Sequence, residues 1–496
     1  MTPRAGTSTT CVVLVIVGAL MPLAFAPSAW WWLAIVAVAV LFYLCATAGA
    51  SLSALYGFAF GLGMFGAGVS WIHESFQFSN VHGPIVWILT GGFVAFLAGF
   101  PALACWAAVR LGAGTNSLSA ALLLPATWLL VEWLRGWALT GFTWLQLGYS
   151  QMDGPGSGLV PVVGSYGVGA LVALTAGALA ALAAHRNRAT AVTLTIVAVV
   201  WCVSVALKGV AWTDPDGMPV RVATIQGNYP QDSKWLASNL APTLARYQAL
   251  SEQAIAAGAE LVVWPETAVP SLPGRVRQFT DDLHRYAQTA NATVIFGIVT
   301  RASEGFHNSV LAVGVGQGSY HKRHLVPFGE YIPFRALLLP LLRAMQVPVP
   351  QFIAAEASNE LVQHGNLVLG ITICYEAAFG AEVRRALPRA NLLVNVSNDA
   401  WFGDTLAPHQ HLQITRMRAL EVGRALVRAT NTGISVVIGP AGEVVARSPQ
   451  FETHVLNRSI QPLRGLTPYA RIGDWPSVVA MILVLLVGAR LARPQR

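Results

Sequence analysis

The stretch "NLVLGITICYE", residues 366–376, ends an apolar run with a cysteine, Cys374, and places a tyrosine and a glutamate directly behind it. Its leucines and β-branched residues predict a buried strand. The chain has five cysteines. The other four lie in long apolar segments, at Cys11, Cys45, Cys105 and Cys202. Cys374 therefore has no disulfide partner in its own part of the chain, and it is either a buried structural thiol or a reactive one.

Short β-rich runs and helical patterns alternate around this strand. Further strands are predicted at "RVATIQGN" (221–228), "ELVVWPET" (260–267), "TVIFGIVT" (293–300), "HNSVLAVG" (307–314), "NLLVNVSND" (391–399) and "GISVVIGP" (433–440). Helical patterns cover 238–257, 275–290 and 408–424. This alternation predicts an α/β domain in which helices cover the sheets.

The rest of the chain has a different composition. The whole sequence is 54% hydrophobic and only 11% charged, whereas about a quarter of the residues in globular domains are charged. Charge is almost absent from 10–210 and 476–492. We therefore predict a membrane domain at 1–212, a soluble domain at 213–474, and a C-terminal transmembrane helix with a short tail at 475–496.

About eight segments are long enough to cross a bilayer, which takes about 20 apolar residues. They are approximately 10–26, 29–48, 52–72, 84–109, 117–137, 158–184, 190–210 and 476–492. Glycines recur four apart in the third segment, which predicts close helix packing. The first segment could instead be a signal peptide, because Ala24-Phe25-Ala26 resembles a cleavage site.

The arginines between these segments predict the orientation. With eight spans, most of them fall on one side, which the positive-inside rule makes cytoplasmic. These are Arg4, Arg110, Arg186, Arg188, Arg490, Arg493 and Arg496, and Arg135 is the exception. Both termini are then cytoplasmic and the soluble domain is extracytoplasmic, where disulfides are favoured. The net charge of +8 fits an anionic lipid surface better than nucleic acid.

Ionisable residues follow three of the predicted strands. "VVWPETAVP" carries Glu266, "YHKRHLVPFGEYIP" carries Lys322 and Glu330, and the opening stretch carries Cys374 and Glu376. Side chains at strand ends of an α/β domain tend to face one crevice. A thiol nucleophile needs a base or a nearby positive charge. A carboxylate can take the thiol proton, and a lysine and the backbone N–H after the cysteine can stabilise an oxyanion.

Other chemistries lack their motifs. The sequence has no Gly-x-Ser-x-Gly, no His-Glu-x-x-His, no Cys-x-x-Cys and no phosphate-binding glycine loop. His409 and His411 in "PHQHLQ" are two residues apart, which favours the start of a helix over a metal site. We expect no metal or organic cofactor.

Two segments are predicted to lie at the membrane or over the site. In "GFTWLQLGYSQMDGP", residues 141–155, Trp144 and Tyr149 either anchor the chain at the interface or contact substrate. The stretch "PFRALLLPLLRAMQVPVPQF", residues 333–352, is apolar with two arginines, and we interpret it as a lid over the site or a membrane-surface segment. A buried core helix is the alternative, although its prolines disfavour one regular helix.

"WPET", "YHKRHLVPFGEY" and "CYE" resemble the three signatures of the nitrilase superfamily. Together with the apolar spans and with "GFTWLQLGYSQ", "QGNYPQDSKW" and "NVSNDAWFGD", they make nearly the whole chain similar to the membrane-embedded branch of that superfamily, the apolipoprotein N-acyltransferases. The resemblance implies an extracytoplasmic α-β-β-α sandwich on a multi-span helical bundle in the bacterial inner membrane, with the catalytic domain in the periplasm.

The resemblance also implies roles for individual residues. Glu266 would be the general base, Lys322 the electrostatic stabiliser and Cys374 the nucleophile. Glu330, Tyr375 and Glu376 would support them. Trp235 would lie on a mobile loop near the substrate entrance. One departure is Thr143, which stands where the family commonly has proline before Trp144.

The implied reaction is a ping-pong acyl transfer. The sn-1 acyl chain of a phospholipid, typically phosphatidylethanolamine, passes to Cys374 as a thioester. The α-amine of a diacylglyceryl-cysteine on an apolipoprotein then accepts it. We expect the protein to be a monomer. Two alternatives remain, which are a membrane-anchored amidase for a small amide and a catalytically dead membrane scaffold. Acyl-chain and head-group preference do not follow from the sequence.

Overall fold

The computed structural model describes residues 4–78, 83–336, 339–340, 351–356 and 361–493. The chain forms two compact units. The first contains Met1–His73, Gly83–Val210 and Arg471–Arg496, and the second contains Glu74–His82 and Ala211–Ala470. Of the predicted lid, residues 337–338 and 341–350 lie outside the described residues.

The first unit is helical. Its helices are Arg4–Leu20, Trp32–Ala46, Ala50–Gly68, Pro84–Arg110, Ser117–Arg135, Val160–Ala184, Arg188–Leu207 and Trp475–Leu491. Short 3₁₀ turns join some of them, at Met21–Ala24, Ser70–Phe78, Ala138–Thr140, Leu147–Gln151 and Pro155–Leu159. Each of the eight predicted segments is thus largely helical.

The helices in the eight predicted spans differ in length. Among the described residues, six helices are long and apolar enough to cross a membrane, whereas Trp32–Ala46 and Trp475–Leu491 have 15 and 17 residues. At about 1.5 Å per residue a 15-residue helix is about 22 Å long, shorter than the ~30 Å hydrocarbon core. The apolar composition located both segments. The helix Trp32–Ala46 is shorter than the predicted 29–48, whereas Trp475–Leu491 matches the predicted 476–492.

The glycines of the helix Ala50–Gly68 allow close helix packing, as predicted. A Cβ atom on Gly57 would lie 2.5 Å from the carbonyl oxygen of Pro101, and one on Gly61 would lie 2.7 Å from Cα of Ala98. Both contacts are with the helix Pro84–Arg110. Larger side chains would force the two backbones apart.

The second unit contains the strands β1 (Asp214–Pro215), β2 (Val220–Gln226), β3 (Leu261–Val263), β4 (Thr293–Ala302), β5 (Gly305–Gly314), β6 (Ser319–His321), β7 (Val362–His364), β8 (Leu367–Ile373), β9 (Leu392–Ser397), β10 (Leu426–Thr430), β11 (Val436–Ile438), β12 (Val444–Arg447), β13 (His454–Ile460) and β14 (Leu463–Arg464). One six-stranded sheet has the order β13-β2-β3-β4-β5-β6 and another the order β12-β11-β10-β9-β8-β7, while β1 pairs with β14. Parallel pairs lie at the centre of each sheet, at β2-β3-β4 and β8-β9-β10.

Helices cover the outer face of each sheet. The longer ones are Ala237–Ala256, Arg277–Thr289 and Leu406–Val422, and the short ones are Gly380–Arg384 and Pro468–Ile472. Short 3₁₀ turns occupy Pro273–Arg275, Cys374–Ala378 and Asp399–Phe402.

Alternate residues of the central strands enter different apolar layers. Leu261 and Val263 face the layer between the two sheets, whereas Val262 packs on the helical side. In the other sheet Val394 faces the inner layer and Leu393 the outer one. Since side chains alternate along a strand, the arrangement is the predicted α-β-β-α sandwich.

The predicted strands and helices of this unit are confirmed, with boundaries shifted by a few residues. The strands β1, β6, β7, β10, β12, β13 and β14 were missed. In β10 the reason is Arg428, a completely buried charge that interrupts the apolar pattern of a central strand. Its partner Asp399 comes from another part of the chain, so the pattern alone did not indicate burial.

Candidate active site

A buried lysine joins two of the predicted carboxylates. Lys322 follows β6, and its Nζ lies 2.9 Å from Oε1 of Glu330 and 3.4 Å from Oε1 of Glu266. Only 1% of Lys322 is exposed. Burial opposes the positive charge of Lys322, but the carboxylates of Glu330 and Glu266 outweigh it and raise its pKa. The ammonium therefore stays charged at neutral pH.

Asn308 on β5 holds both carboxylates in place. Its Nδ2 donates to Oε1 of Glu266 at 2.7 Å and to Oε1 of Glu330 at 2.9 Å. The backbone carbonyl oxygen of Asn308 accepts the backbone N–H of Lys322 at 2.8 Å. The second oxygen of Glu330 accepts the N–H of Val326 at 2.8 Å. Both oxygens of the Glu330 carboxylate accept hydrogen bonds, whereas the bonds to Glu266 given above involve only its Oε1.

Cys374 lies at the end of β8, where the chain turns sharply. Its φ is +50°, in the left-handed region that non-glycine residues rarely adopt and that costs about 1–3 kcal/mol. Burial raises the pKa of its thiol, the charge of Glu266 adds to this effect, and Lys322 opposes it. The resting group is therefore a thiol, which has to lose its proton as it reacts.

Glu376 joins the nucleophile turn to the segment that carries the lysine. Its carboxylate accepts the backbone N–H groups of Ile373 at 2.7 Å, Arg323 at 2.7 Å and His324 at 3.2 Å, and the hydroxyl of Tyr320 at 3.0 Å. Burial raises its pKa, although the backbone donors favour its charged form. Three of these four donors are backbone N–H groups, from both sides of the site, so Glu376 ties the turn of Cys374 to the segment of Lys322.

Tyr375 packs within the same turn. It is 7% exposed, and its ring contacts Phe379 edge-on with centroids 5.1 Å apart. The centroid of the His324 ring lies 5.7 Å from that of Tyr375. The side chain thus braces the turn from behind the nucleophile.

A second buried network supports the backbone of Cys374. Nε2 of His411 lies 3.2 Å from the carbonyl oxygen of Cys374, and Nδ1 of His411 lies 3.0 Å from Oδ1 of Asp399. Nη2 of Arg428 lies 2.6 Å from Oδ2 of Asp399. Although burial opposes the charge on Asp399, the guanidinium of Arg428 lowers the pKa of that carboxyl.

Cys374, Asp399 and His411 also have the spacing of metal ligands. One donor atom from each lies within 4.8 Å of the others. However, the guanidinium of Arg428 is already paired with the carboxylate of Asp399, and its Nη2 also lies 3.0 Å from Nδ1 of His411. A guanidinium at this distance repels a second cation, so the donor set fits a positioning network better than a metal site.

The three predicted substrate-contact residues are divided between the two units. Trp235 follows β2 in the second unit and is 52% exposed. Trp144 and Tyr149 lie in the first unit, where both are buried. The carbonyl of Trp144 accepts a hydrogen bond of 2.7 Å from Arg135, and its ring stacks on Phe142.

Sequence reasoning missed four residues of the site, Asn308, Asp399, His411 and Lys234. The first lies in "HNSV" and the second in "NVSND", two stretches that were noted as strands without a role for their polar residues. His411 was interpreted as part of a helix start, and it does lie in the second turn of the helix Leu406–Val422. Polar residues inside or just after apolar strands were the signal that could have found the first two.

Comparisons with known proteins match both parts of the chain to described families. Residues 221–469 match the carbon-nitrogen hydrolase family and residues 17–178 match the apolipoprotein N-acyltransferase N-terminal domain. A solved amidase from Nesterenkonia sp. AN1 is similar over 52% of this chain and 98% of its own, with 18% identity and a TM-score of 0.38. The family match over residues 221–469 makes the second unit a carbon-nitrogen hydrolase domain.

Curated relatives extend the match to almost the full chain. The apolipoprotein N-acyltransferase of Methylococcus capsulatus is 42% identical over 97% of this chain and 95% of its own. That of Photobacterium profundum is 38% identical over 92% and 90%. The chain belongs to the apolipoprotein N-acyltransferase family.

Proposed function

We propose that this protein is an acyltransferase that moves the sn-1 acyl chain of a phospholipid to the N-terminal diacylglyceryl-cysteine of an apolipoprotein, with Glu266, Lys322 and Cys374 as its catalytic residues. The observation that carries the proposal is the buried cluster of Lys322 with Glu266 and Glu330 in the same unit as the strained Cys374. Family membership supports the lipoprotein substrate, and phosphatidylethanolamine is our candidate donor.

In the first half-reaction, Glu266 takes the thiol proton as the sulfur attacks the ester carbonyl. The raised pKa of Cys374 makes this base necessary. The charged Lys322 and the backbone N–H of Tyr375 stabilise the oxyanion. The C–O bond of the ester then breaks, the leaving alkoxide takes the proton from Glu266, and a lysophospholipid departs from the thioester.

In the second half-reaction, the α-amine of the diacylglyceryl-cysteine attacks the thioester. Glu266 accepts a proton from the amine. The C–S bond then breaks, and the leaving thiolate takes this proton back from Glu266. An amide forms and the thiol is restored, which completes a ping-pong cycle. The mechanism requires no metal or organic cofactor.

The substrates also indicate where the protein lies. Both carry lipid chains. Among the described residues six helices have the length and composition to cross a membrane, and the shorter apolar helices Trp32–Ala46 and Trp475–Leu491 would complete the eight spans of the predicted topology. We place the protein in the inner membrane with the domain 213–474 in the periplasm and both termini in the cytoplasm, flanked by the membrane domain 1–212 and the C-terminal helix 475–496. Arg110, Arg186 and Arg188 support this orientation through the positive-inside rule. A monomer suffices, because the second unit alone contains the triad.

The test is mass spectrometry of the purified full-length protein after incubation with phosphatidylethanolamine. We expect a mass gain of one acyl chain on Cys374, which a diacylglyceryl-cysteine peptide removes. Cys374→Ala should abolish the gain, and Cys202→Ala, at an exposed cysteine of a membrane helix, should leave it unchanged. A folded protein that gains no acyl chain, but hydrolyses a small amide, would contradict the proposal.

A further inference from the structure

The use of lysine in this chain is unusual. The sequence contains 28 arginines but only three lysines, at 208, 234 and 322. Two of the three are buried beside Glu266, since Lys322 is 1% exposed and Lys234 is 4% exposed. Lys208 is exposed. Lysine and arginine differ in shape and hydration, so a chain that otherwise uses arginine keeps lysine where a compact ammonium is needed.

Lys234 contacts the turn that carries the proposed base. Its Nζ donates to the hydroxyl of Thr267 at 2.8 Å and to the carbonyl oxygen of Glu266 at 3.2 Å. Thr267 has a φ of +46°, an unfavourable backbone conformation for a β-branched residue. The turn therefore depends on external contacts to keep its shape.

The opposite side of this turn rests against backbone. Gly297 on β4 donates to the carbonyl oxygen of Pro265 at 3.2 Å. A Cβ atom at Gly297 would lie 2.3 Å from the backbone nitrogen of Thr267. The sheet thus supports the Glu266 turn from one side, and Lys234 holds it from the other.

Lys234 also belongs to a loop that is fastened along its length. The loop, residues 227–236, begins with the N–H of Asn228 donating to the carbonyl of Asn431 at 2.8 Å. Further along, the side chain of Asn398 donates to Oε1 of Gln231 at 2.7 Å. Lys234 is the last of these attachments, and the exposed Trp235 follows it directly.

We propose that Lys234 is a positioning residue for Glu266, fixing the turn of the base and tying it to the loop 227–236 that presents Trp235. The proposal rests on the proposed function of Glu266 as the base for Cys374. A buried cation is costly, and burial lowers the pKa of Lys234 to about 8, although the Glu266 carboxylate opposes this shift. Because burying the ammonium is costly, an apolar side chain at position 234 would stabilise the fold better than lysine does.

The experiment compares Lys234→Met with Lys208→Met in the full-length protein at pH 7. Two rates are measured, which are acylation of Cys374 by phosphatidylethanolamine and its alkylation by iodoacetamide, followed on the Cys374 peptide by mass spectrometry. We expect Lys234→Met to lower kcat for acylation by about 10²-fold with KM little changed, and to slow alkylation similarly. Lys208→Met should stay within twofold of the wild type. Rates of Lys234→Met within twofold of the wild type would overturn the proposal.

Two further variants test the same contact in case Lys234→Met does not fold. Thr267→Val removes the hydroxyl that Lys234 contacts without changing the size of the side chain, and Thr267→Ser keeps it. We expect slower alkylation in Thr267→Val and near-normal alkylation in Thr267→Ser. Equal, wild-type rates in both would count against Lys234 as well.

Alkylation also separates this proposal from the proposed function. If Glu266→Gln slows alkylation but phosphatidylethanolamine gives no acyl-enzyme, the proposed donor is wrong while Lys234 is still judged by the alkylation rates. If Glu266→Gln leaves alkylation unchanged, Glu266 is not the base and both proposals fail.

Discussion

Each of the two units buries an ion pair, but the pairs have different partners. In the helical unit, Glu132 and Arg135 lie 3.6 Å apart on the helix Ser117–Arg135. Glu132 accepts the N–H of Leu147 at 3.0 Å, and Arg135 donates to the carbonyls of Phe142 and Trp144 at 2.8 and 2.7 Å. This pair binds backbone, and it therefore fixes the loop that carries Trp144.

In the sandwich unit, the partners of Lys322 are side chains. Its ammonium contacts the carboxylates of Glu266 and Glu330, and it influences the thiol of Cys374. These groups can exchange protons or respond to a new charge. In these two clusters the Glu132–Arg135 pair, which also binds backbone groups, holds structure, whereas the ammonium of Lys322, held between two carboxylates, is available for chemistry.

The largest effect is expected from Lys322→Met. The substitution removes the charge that stabilises the oxyanion and leaves two carboxylates unpaired, so acyl-enzyme formation should fall about 10³-fold. Lys322→Arg should not restore it, because a guanidinium does not fit the position of the ammonium. Single-turnover mass spectrometry measures the rate, with Lys208→Met as the control. More than a tenth of wild-type activity would break the comparison.

The next effect concerns the helical unit, where Arg135→Met should act on stability. It leaves Glu132 buried without its cation, and we expect a loss of about 3 kcal/mol in the free energy of unfolding. The double variant with Glu132→Gln should be less destabilised than Arg135→Met alone, because the unpaired charge is gone. Unfolding of the purified proteins in the same detergent measures both. An Arg135→Met protein as stable as the wild type would contradict the assigned role.

A smaller effect is expected at His411, whose ring lies 3.2 Å from the carbonyl of Cys374. His411→Leu removes this contact from a strained residue and should slow acylation about tenfold. His411→Gln can still donate a hydrogen bond, and it should retain more activity. If the two variants are equally active, the hydrogen bond does not position the nucleophile.

The smallest effect on stability is a pH dependence that originates in Lys234. Its pKa of about 8 in the folded protein lies below the unfolded value of about 10.4, so the unfolded chain binds more protons between these values. Stability contributed by this group therefore rises as the pH increases from 8 towards 10 and is lost as the pH falls.

We expect Lys234→Met to be at least as stable as the wild type at pH 7 and to lack this rise, which should amount to about 2 kcal/mol between pH 7 and pH 9.5. Thermal unfolding at pH 7 and pH 9.5, with Lys208→Met as control, checks the prediction. A Lys234→Met protein that is much less stable at pH 7 would show that Lys234 holds structure, as Arg135 does.

Much of the fold follows from local sequence. The strand at 367–373 was predictable because it is a run of apolar and β-branched residues without a charge. The membrane helices were predictable because charge is almost absent over long windows. Arg428 on β10 was not, since a buried charge is stable only beside a partner that is distant in sequence. The same holds for Asn308 on β5, because its side chain binds two carboxylates, of Glu266 and Glu330, that come from other parts of the chain.

By itself the sequence determined which residues are chemically able to act, because a lone cysteine, a lysine and glutamates at strand ends are visible in one dimension. Only the tertiary structure decided how they are divided between roles. Glu266 and Glu330 look alike in sequence and both accept a hydrogen bond from Asn308, but Glu330 in addition accepts the backbone N–H of Val326 on its second oxygen. Lys234 is indistinguishable from a surface lysine until folding buries it against Glu266, because burial and hydrogen bonding, rather than residue type, set what a charge can do.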